Sequence, residues 1–132
     1  MLRTVLLVVA DPDWREAARA GMEAAGYEVV VLPNGEAALE AAEQHRGQLL
    51  VLDMECGTPH WLEVMMLLRV GEWSRENLPI GLLAGVRGYD NRRLKLMAWQ
   101  AGAEFYLTKP AHVEEVVTFV QRIGETWRRG SP

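Results

Sequence analysis

The stretch Val5-Leu6-Leu7-Val8-Val9-Ala10-Asp11-Pro12-Asp13 decides how this chain folds. Its unbroken apolar run over residues 5–9 predicts a buried β-strand, because a strand that is covered on both faces shows no polar alternation. Asp11 suits the capping position of a helix, and Pro12 suits its first turn, where a missing N–H costs nothing. The stretch therefore predicts a central strand that passes directly into a helix.

Further short apolar runs follow, with helix-like stretches between them. The runs cover residues 28–32, 49–52, 80–83 and 104–107. The first helix is expected to stop at Gly26, and an alanine-rich second helix begins at Asn34-Gly35 and ends near Gly47. Later helices are predicted over 61–70 and 91–101 and from about Val113. Strands that alternate with helices in this way are typical of an α/β domain with a parallel sheet.

Length and composition limit the classes of function. The 132 residues predict one domain, with a core over about residues 3–125 and a short C-terminal tail at 128–132. The net charge of −4 argues against a protein that binds nucleic acid through its phosphates. Cys56 is the only cysteine, which excludes an internal disulfide and fits a reducing cytoplasm. No apolar run approaches the roughly 18 residues of a membrane span, so we expect a cytoplasmic protein with no membrane attachment.

The carboxyl ends of the predicted strands are where chemistry is expected. In an open parallel α/β sheet, functional residues lie just beyond these ends and so come together at one edge. Here the ends carry Val9-Ala10-Asp11, Asp53, Ala84 and Lys109. We therefore expect these residues to form one site.

These residues and their spacing resemble the receiver domains of bacterial two-component response regulators over about residues 3–125. The most specific match is AGAEFYLTKP at residues 101–110, and VLLVVADPDWREAARAGMEAAGYEV at 5–29 is similar to the opening of a receiver. The resemblance implies a flavodoxin-like, doubly wound sheet of five parallel strands in the order 2-1-3-4-5, with five helices.

The same resemblance gives individual residues their expected roles. Asp53 occupies the position of the phosphoacceptor aspartate, and Lys109 that of the lysine that pairs with the phosphoryl group. Pro110 follows Lys109, in the family usually through a cis peptide bond. Tyr106 stands at the aromatic switch position, and Ala84 stands where the family has the Thr or Ser that binds the phosphoryl group.

The departures from the family pattern carry the functional argument. Val9 and Ala10 occupy the two positions where the family has carboxylates that bind magnesium. Protein-bound magnesium relies on one or two carboxylates together with waters and phosphate oxygens. Asp11 and Glu55 are the remaining candidates for a residual metal site. We expect no cofactor, and Mg²⁺ only if the site works in the conventional way.

The missing acidic pair also changes what Lys109 meets. Asp53 becomes its obvious partner, so we expect a salt bridge between them in the unmodified protein, with Glu55 as a competitor for Lys109. The sequence leaves open whether Asp53 and Lys109 form only a structural ion pair or a site that is phosphorylated.

The third helix is unusually apolar. Its sequence WLEVMMLLRV at 61–70 places Met66 and Leu67 where the family often has Arg or Lys. Either the following segment around Trp73 folds over them, or Trp61, Met66, Leu67 and Trp73 form an exposed patch. Such a patch would suit a protein partner or a homodimer.

Together these features predict a stand-alone, degenerate receiver domain. It would act as a signalling interaction module rather than an enzyme, with a histidine kinase or a downstream signalling protein as partner. One alternative is a conventional single-domain response regulator that a histidine kinase phosphorylates on Asp53. Another is a small-molecule-binding flavodoxin-like domain, with a pocket made apolar by Val9, Ala10 and Ala84. The absence of a glycine-rich loop after the first strand argues against a nucleotide there.

Overall fold

In the computed structural model, residues 3–44, 47–70, 78–84, 91–108 and 113–130 are described, and strands and helices alternate along them. The strands are β1 (Arg3–Val8), β2 (Tyr27–Val31), β3 (Leu49–Asp53), β4 (Ile80–Ala84) and β5 (Phe105–Thr108). The helices are α1 (Pro12–Ala24), α2 (Gly35–Glu43), α3 (Trp61–Val70), α4 (Asn91–Ala101) and α5 (Val113–Gly130). No helix in these ranges is long and apolar enough to cross a membrane.

The strands form one parallel sheet in the order β2-β1-β3-β4-β5. This confirms the predicted flavodoxin-like, doubly wound fold. Helices α1 and α5 pack together on one face, while α3 packs against both α2 and α4 on the other. Because every strand runs the same way, the carboxyl ends of all five meet at one edge.

The predicted starts of the first two helices are confirmed by their caps. The Asp11 carboxylate accepts hydrogen bonds from the N–H groups of Asp13 at 3.0 Å and Trp14 at 3.4 Å. The Asn34 side chain accepts from the N–H of Ala37 at 2.9 Å. Gly26 follows α1 with a φ of +98°, which suits a glycine and ends the helix as expected.

The second helix is shorter than the sequence predicted. It ends at Glu43 with Gln44 as its C-cap, and not near Gly47. A side chain at Gly47 would collide with Leu6 of β1. The glycine is therefore needed for close packing ahead of β3, which is why it misled a prediction that treated it as a helix stop.

Candidate functional site

Asp53 ends β3 and is completely buried. Its Oδ2 accepts a hydrogen bond from the backbone N–H of Ala10 at 3.0 Å, and its Oδ1 accepts one from the backbone N–H of Glu55 at 2.9 Å. An ionised carboxylate is costly to bury unless it is hydrogen-bonded or paired. The two amides therefore provide part of what makes this burial tolerable.

Val9 and Ala10 follow β1 at the same edge. Val9 is 3% exposed and lies in the same core cluster as Val5 and Leu7, so these three side chains lie on one face of the sheet. Ala10 is exposed, and its contribution to the site is its main-chain N–H. Neither side chain carries an oxygen that a metal ion could use.

The remaining carboxylates do not assemble a metal site in the described ranges. Asp11 is exposed and caps α1, and Glu55 is exposed with its backbone amide on Asp53. Across residues 3–44, 47–70, 78–84, 91–108 and 113–130, no three His, Cys, Asp or Glu side chains come together to hold a metal ion. Magnesium is usually held by one or two carboxylates together with waters and phosphate oxygens. At residues 9–11 only Asp11 carries a carboxylate, and its Oδ1 is engaged in capping α1, so the end of β1 supplies magnesium with a poor set of donors.

Ala84 and Tyr106 lie on neighbouring strands at this edge. Ala84 is fully buried and pairs in register with Thr108, while Tyr106 pairs with Leu82. Because alternate residues share a face, Ala84, Tyr106 and Thr108 lie on the same side of the sheet. Alanine has no hydroxyl, so position 84 cannot donate a hydrogen bond from its side chain on this face.

The Tyr106 hydroxyl is buried and has no hydrogen-bond partner within the described part of the chain. Burial raises the pKa of this phenol, and the nearby Thr108 hydroxyl partly offsets the effect although the two groups do not form a hydrogen bond of standard geometry. A buried hydroxyl that lacks a partner costs stability.

Lys109 and Pro110 lie outside the described residues. The ion pair between Asp53 and Lys109 therefore stays a prediction. So does the role of Lys109 in pairing with a phosphoryl group.

The predicted patch on α3 is only partly as expected. Met66 and Leu67 are 59% and 53% exposed, whereas Trp61 is 4% exposed and packs in the core with Val64 and Leu68. Trp61 lies three and seven residues before these core positions, on the helix face that meets the sheet. It therefore does not belong to the exposed patch, and Trp73 lies outside the described residues.

The sequence analysis did not identify other exposed apolar residues or the backbone amide of Ala10 that bonds to Asp53. Val70, four residues after Met66, is 84% exposed, and Leu96 and Trp99 of α4 are 57% and 40% exposed. The i, i+4 spacing could have identified Val70. The Ala10 amide left no signal, since every residue except proline has the same N–H.

Comparison with known proteins agrees with the fold. The chain matches the profile of the response regulator receiver domain over residues 5–121. It is 31% identical over 127 residues to the transcriptional regulatory protein PrrA of Mycobacterium tuberculosis. The aligned residues cover 96% of this chain and 51% of PrrA. It is 30% identical over 100 residues to the polar-differentiation response regulator DivK of Brucella anthropi, which covers 76% of this chain and 78% of DivK.

A solved structure has the same fold. The response regulator protein from Burkholderia multivorans superimposes with a TM-score of 0.74 at 29% identity, covering 94% of this chain and 96% of that one. The chain thus spans about half the length of PrrA and most of the length of the other two proteins.

Proposed function

The chain belongs to the response regulator receiver domain family, and we propose that it is a degenerate member whose magnesium-dependent aspartyl phosphorylation is lost or impaired. In this proposal the domain acts as a signalling module that binds a protein partner in its unmodified form. It is not an enzyme. A cytoplasmic location is part of the proposal, which the free thiol of Cys56 favours.

One observation carries this proposal: the end of β1 offers Asp53 a backbone amide in place of carboxylates. Val9 is a core residue, and Ala10 meets Asp53 through its N–H. Phosphoryl transfer depends on positive charge that neutralises the transferring group, and magnesium supplies much of it in such sites. Without carboxylates at positions 9 and 10, the ion loses two oxygen donors that the family provides beside the phosphoacceptor aspartate.

Ala84 supports the same conclusion from the neighbouring strand. A hydroxyl at this position would stabilise an added phosphoryl group by roughly 1.5 to 3 kcal/mol, as hydrogen bonds to charged groups do. Alanine offers none, so modification of Asp53 would be coupled less strongly to β4 and β5. The change at positions 9 and 10 thus disfavours the transfer of a phosphoryl group, and the change at position 84 disfavours its retention and its coupling to the rest of the sheet.

The partner class comes with the family. Receiver domains bind histidine kinases and other signalling proteins, and we extend this to the present chain. The exposed residues of α3, Met66, Leu67 and Val70, form the surface that we expect to contribute to such an interface or to a homodimer.

A magnesium titration tests the metal part of the proposal. We expect the backbone amide resonances of Ala10 and Glu55 to stay unshifted up to about 10 mM Mg²⁺, because the side chains at positions 9 and 10 offer no oxygen to bind the ion. Sodium chloride at equal ionic strength controls for nonspecific screening. Saturable shifts at these two amides with magnesium would refute the loss of the metal site.

A conventional response regulator is the second candidate. The observation in its favour is that Asp53 is retained at the end of β3, in a chain similar to proteins named as response regulators. In that case Asp11 or Glu55 would have to move toward Asp53 and complete the metal site. Formation of a phosphorylated Asp53 would establish this candidate.

A further inference from the structure

Asp53 connects two separate segments at the carboxyl edge of the sheet. Its Oδ2 bonds the amide of Ala10, 43 residues earlier in the chain, between β1 and α1. Its Oδ1 bonds the amide of Glu55, two residues later, between β3 and α3. The side chain is 0% exposed, so bulk water is not available to replace either donor.

We infer that Asp53 is a structural clamp, whose carboxylate fixes the segment after β1 to the segment after β3 without a metal ion or a phosphoryl group. This inference rests on the proposed function, because the clamp is permanent only if Asp53 is not routinely modified. It assigns the residue a role in the unmodified protein that does not depend on phosphate.

The chemistry of the carboxylate explains why aspartate suits this role. An ionised carboxylate accepts hydrogen bonds at both oxygens and donates none. Here each oxygen faces a backbone N–H from a different segment. Asparagine would keep one acceptor and would turn its NH₂ group toward the other N–H, so one of the two bonds would be lost. A group attached to either oxygen would compete with an amide in the same way.

Asp11 provides a matched control in the same part of the fold. It is also an aspartate that accepts two backbone N–H bonds, from Asp13 and Trp14, but both reach a single oxygen, Oδ1. Asp11 is exposed, and asparagine caps helices about as well as aspartate does. Asp11→Asn therefore keeps its bonds, whereas Asp53→Asn does not.

The first test uses the unsubstituted protein. Through-hydrogen-bond scalar couplings are measured by NMR between the amide nitrogens of Ala10 and Glu55 and the carboxylate carbon of Asp53. We expect both couplings, together with hydrogen exchange at the two amides that is at least tenfold slower than in a free peptide. Absence of the couplings with unprotected exchange at both amides would overturn the clamp.

The second test compares melting temperatures. Asp53→Asn is expected to lower the melting temperature by about 5 to 10 °C and Asp11→Asn by less than about 2 °C. In the Asp53→Asn protein, exchange at Ala10 or Glu55 should accelerate more than exchange at the core amide of Val51. Equal melting of both variants with unchanged exchange would refute the inference. If Asp53→Asn fails to fold while Asp11→Asn folds normally, this loss of folding agrees with the clamp. The couplings in the unsubstituted protein then decide whether Asp53 is a clamp.

These outcomes separate the clamp from the proposed function. Couplings to Asp53 in a protein that is readily phosphorylated would keep the clamp and refute the loss of phosphorylation. Missing couplings in a protein that is not phosphorylated would refute the clamp and leave the proposed loss of phosphorylation in place.

Discussion

At the end of β3, the two oxygens of Asp53 face backbone amides, while the side chains at positions 9 and 10 are apolar. The sequence was sufficient to place Asp53, Val9 and Ala10 together, because the ends of parallel strands converge. It could not show that the Ala10 amide is the group that meets Asp53. Which way an N–H points depends on the local backbone path, and side-chain identity does not encode that path.

Restoring carboxylates at positions 9 and 10 should destabilise the protein when no metal ion is present. Val9→Glu with Ala10→Asp should lower the free energy of unfolding by about 2 to 5 kcal/mol without metal. The reason is that a buried valine becomes a carboxylate and two like charges approach Asp53. Millimolar magnesium should recover part of the loss, measured by urea unfolding with and without the ion. Ala10→Ser is the control, and equal stability with and without magnesium in the double variant would contradict the expected rescue.

Tyr106 gives a second prediction. Because its buried hydroxyl has no partner within the described residues, Tyr106→Phe should leave stability unchanged or raise it by up to about 1 kcal/mol. Tyr27→Phe is the control, since the Tyr27 hydroxyl has an acceptor in the carbonyl of Val120, 3.5 Å away, and losing this long hydrogen bond should cost up to about 0.5 kcal/mol. Chemical denaturation measures both variants. A loss of more than about 1 kcal/mol for Tyr106→Phe would mean that this hydroxyl is satisfied after all.

Helix α3 has a different role on each of its sides. Its inner side carries Trp61, Val64, Met65 and Leu68, all buried, and its outer side exposes Met66, Leu67 and Val70. Near its end, Arg69 donates to the carbonyl of Leu78 at 2.9 Å and to that of Gly102 at 2.8 Å. The helix is thereby tied to the residues before β4 and to the turn between α4 and β5. Composition alone showed an apolar helix and did not separate the two sides.

The Arg69 contacts lead to a third prediction. Arg69→Ala should destabilise the protein by about 2 to 3 kcal/mol, because two carbonyls lose a charged donor in a part-buried position. The stability of Arg69→Lys should lie between those of the parent and Arg69→Ala, since one ammonium group does not reproduce the two-pronged geometry of the guanidinium. Equilibrium unfolding of the three proteins provides the comparison. An alanine variant within about 0.5 kcal/mol of the parent would show that these bonds add little.

The outer side of α3 gives a fourth prediction. Met66→Glu with Leu67→Lys should abolish self-association or partner binding and leave the melting temperature unchanged, because both side chains are more than half exposed. Light scattering and thermal melting are the measurements. Leu96→Glu on α4, also exposed, controls for the general loss of an apolar side chain. A melt lowered by several degrees with no change in mass would instead make Met66 and Leu67 part of the core.

For the whole molecule, alternating periodicity and helix caps were enough to predict the order of elements, and the resemblance supplied the order of strands. The runs at 49–52 and 80–83 became β3 and β4, whose residues are all buried. Details that depend on contacts between distant residues were not predictable. Gly47 was taken for a helix stop because its packing against Leu6 brings together residues far apart in sequence. Trp61 was placed in a patch because the sequence does not fix how a helix rotates on the sheet.

The most direct test of the account is incubation with millimolar magnesium and a small phosphodonor such as acetyl phosphate, followed by intact-mass measurement. We expect no gain of about 80 Da, the mass of one phosphoryl group, or only a very slow one. The Asp53→Asn protein, treated identically, controls for modification elsewhere. An adduct of this mass that forms on Asp53 within minutes and is absent from the Asn variant would contradict the loss of phosphorylation and establish a conventional receiver.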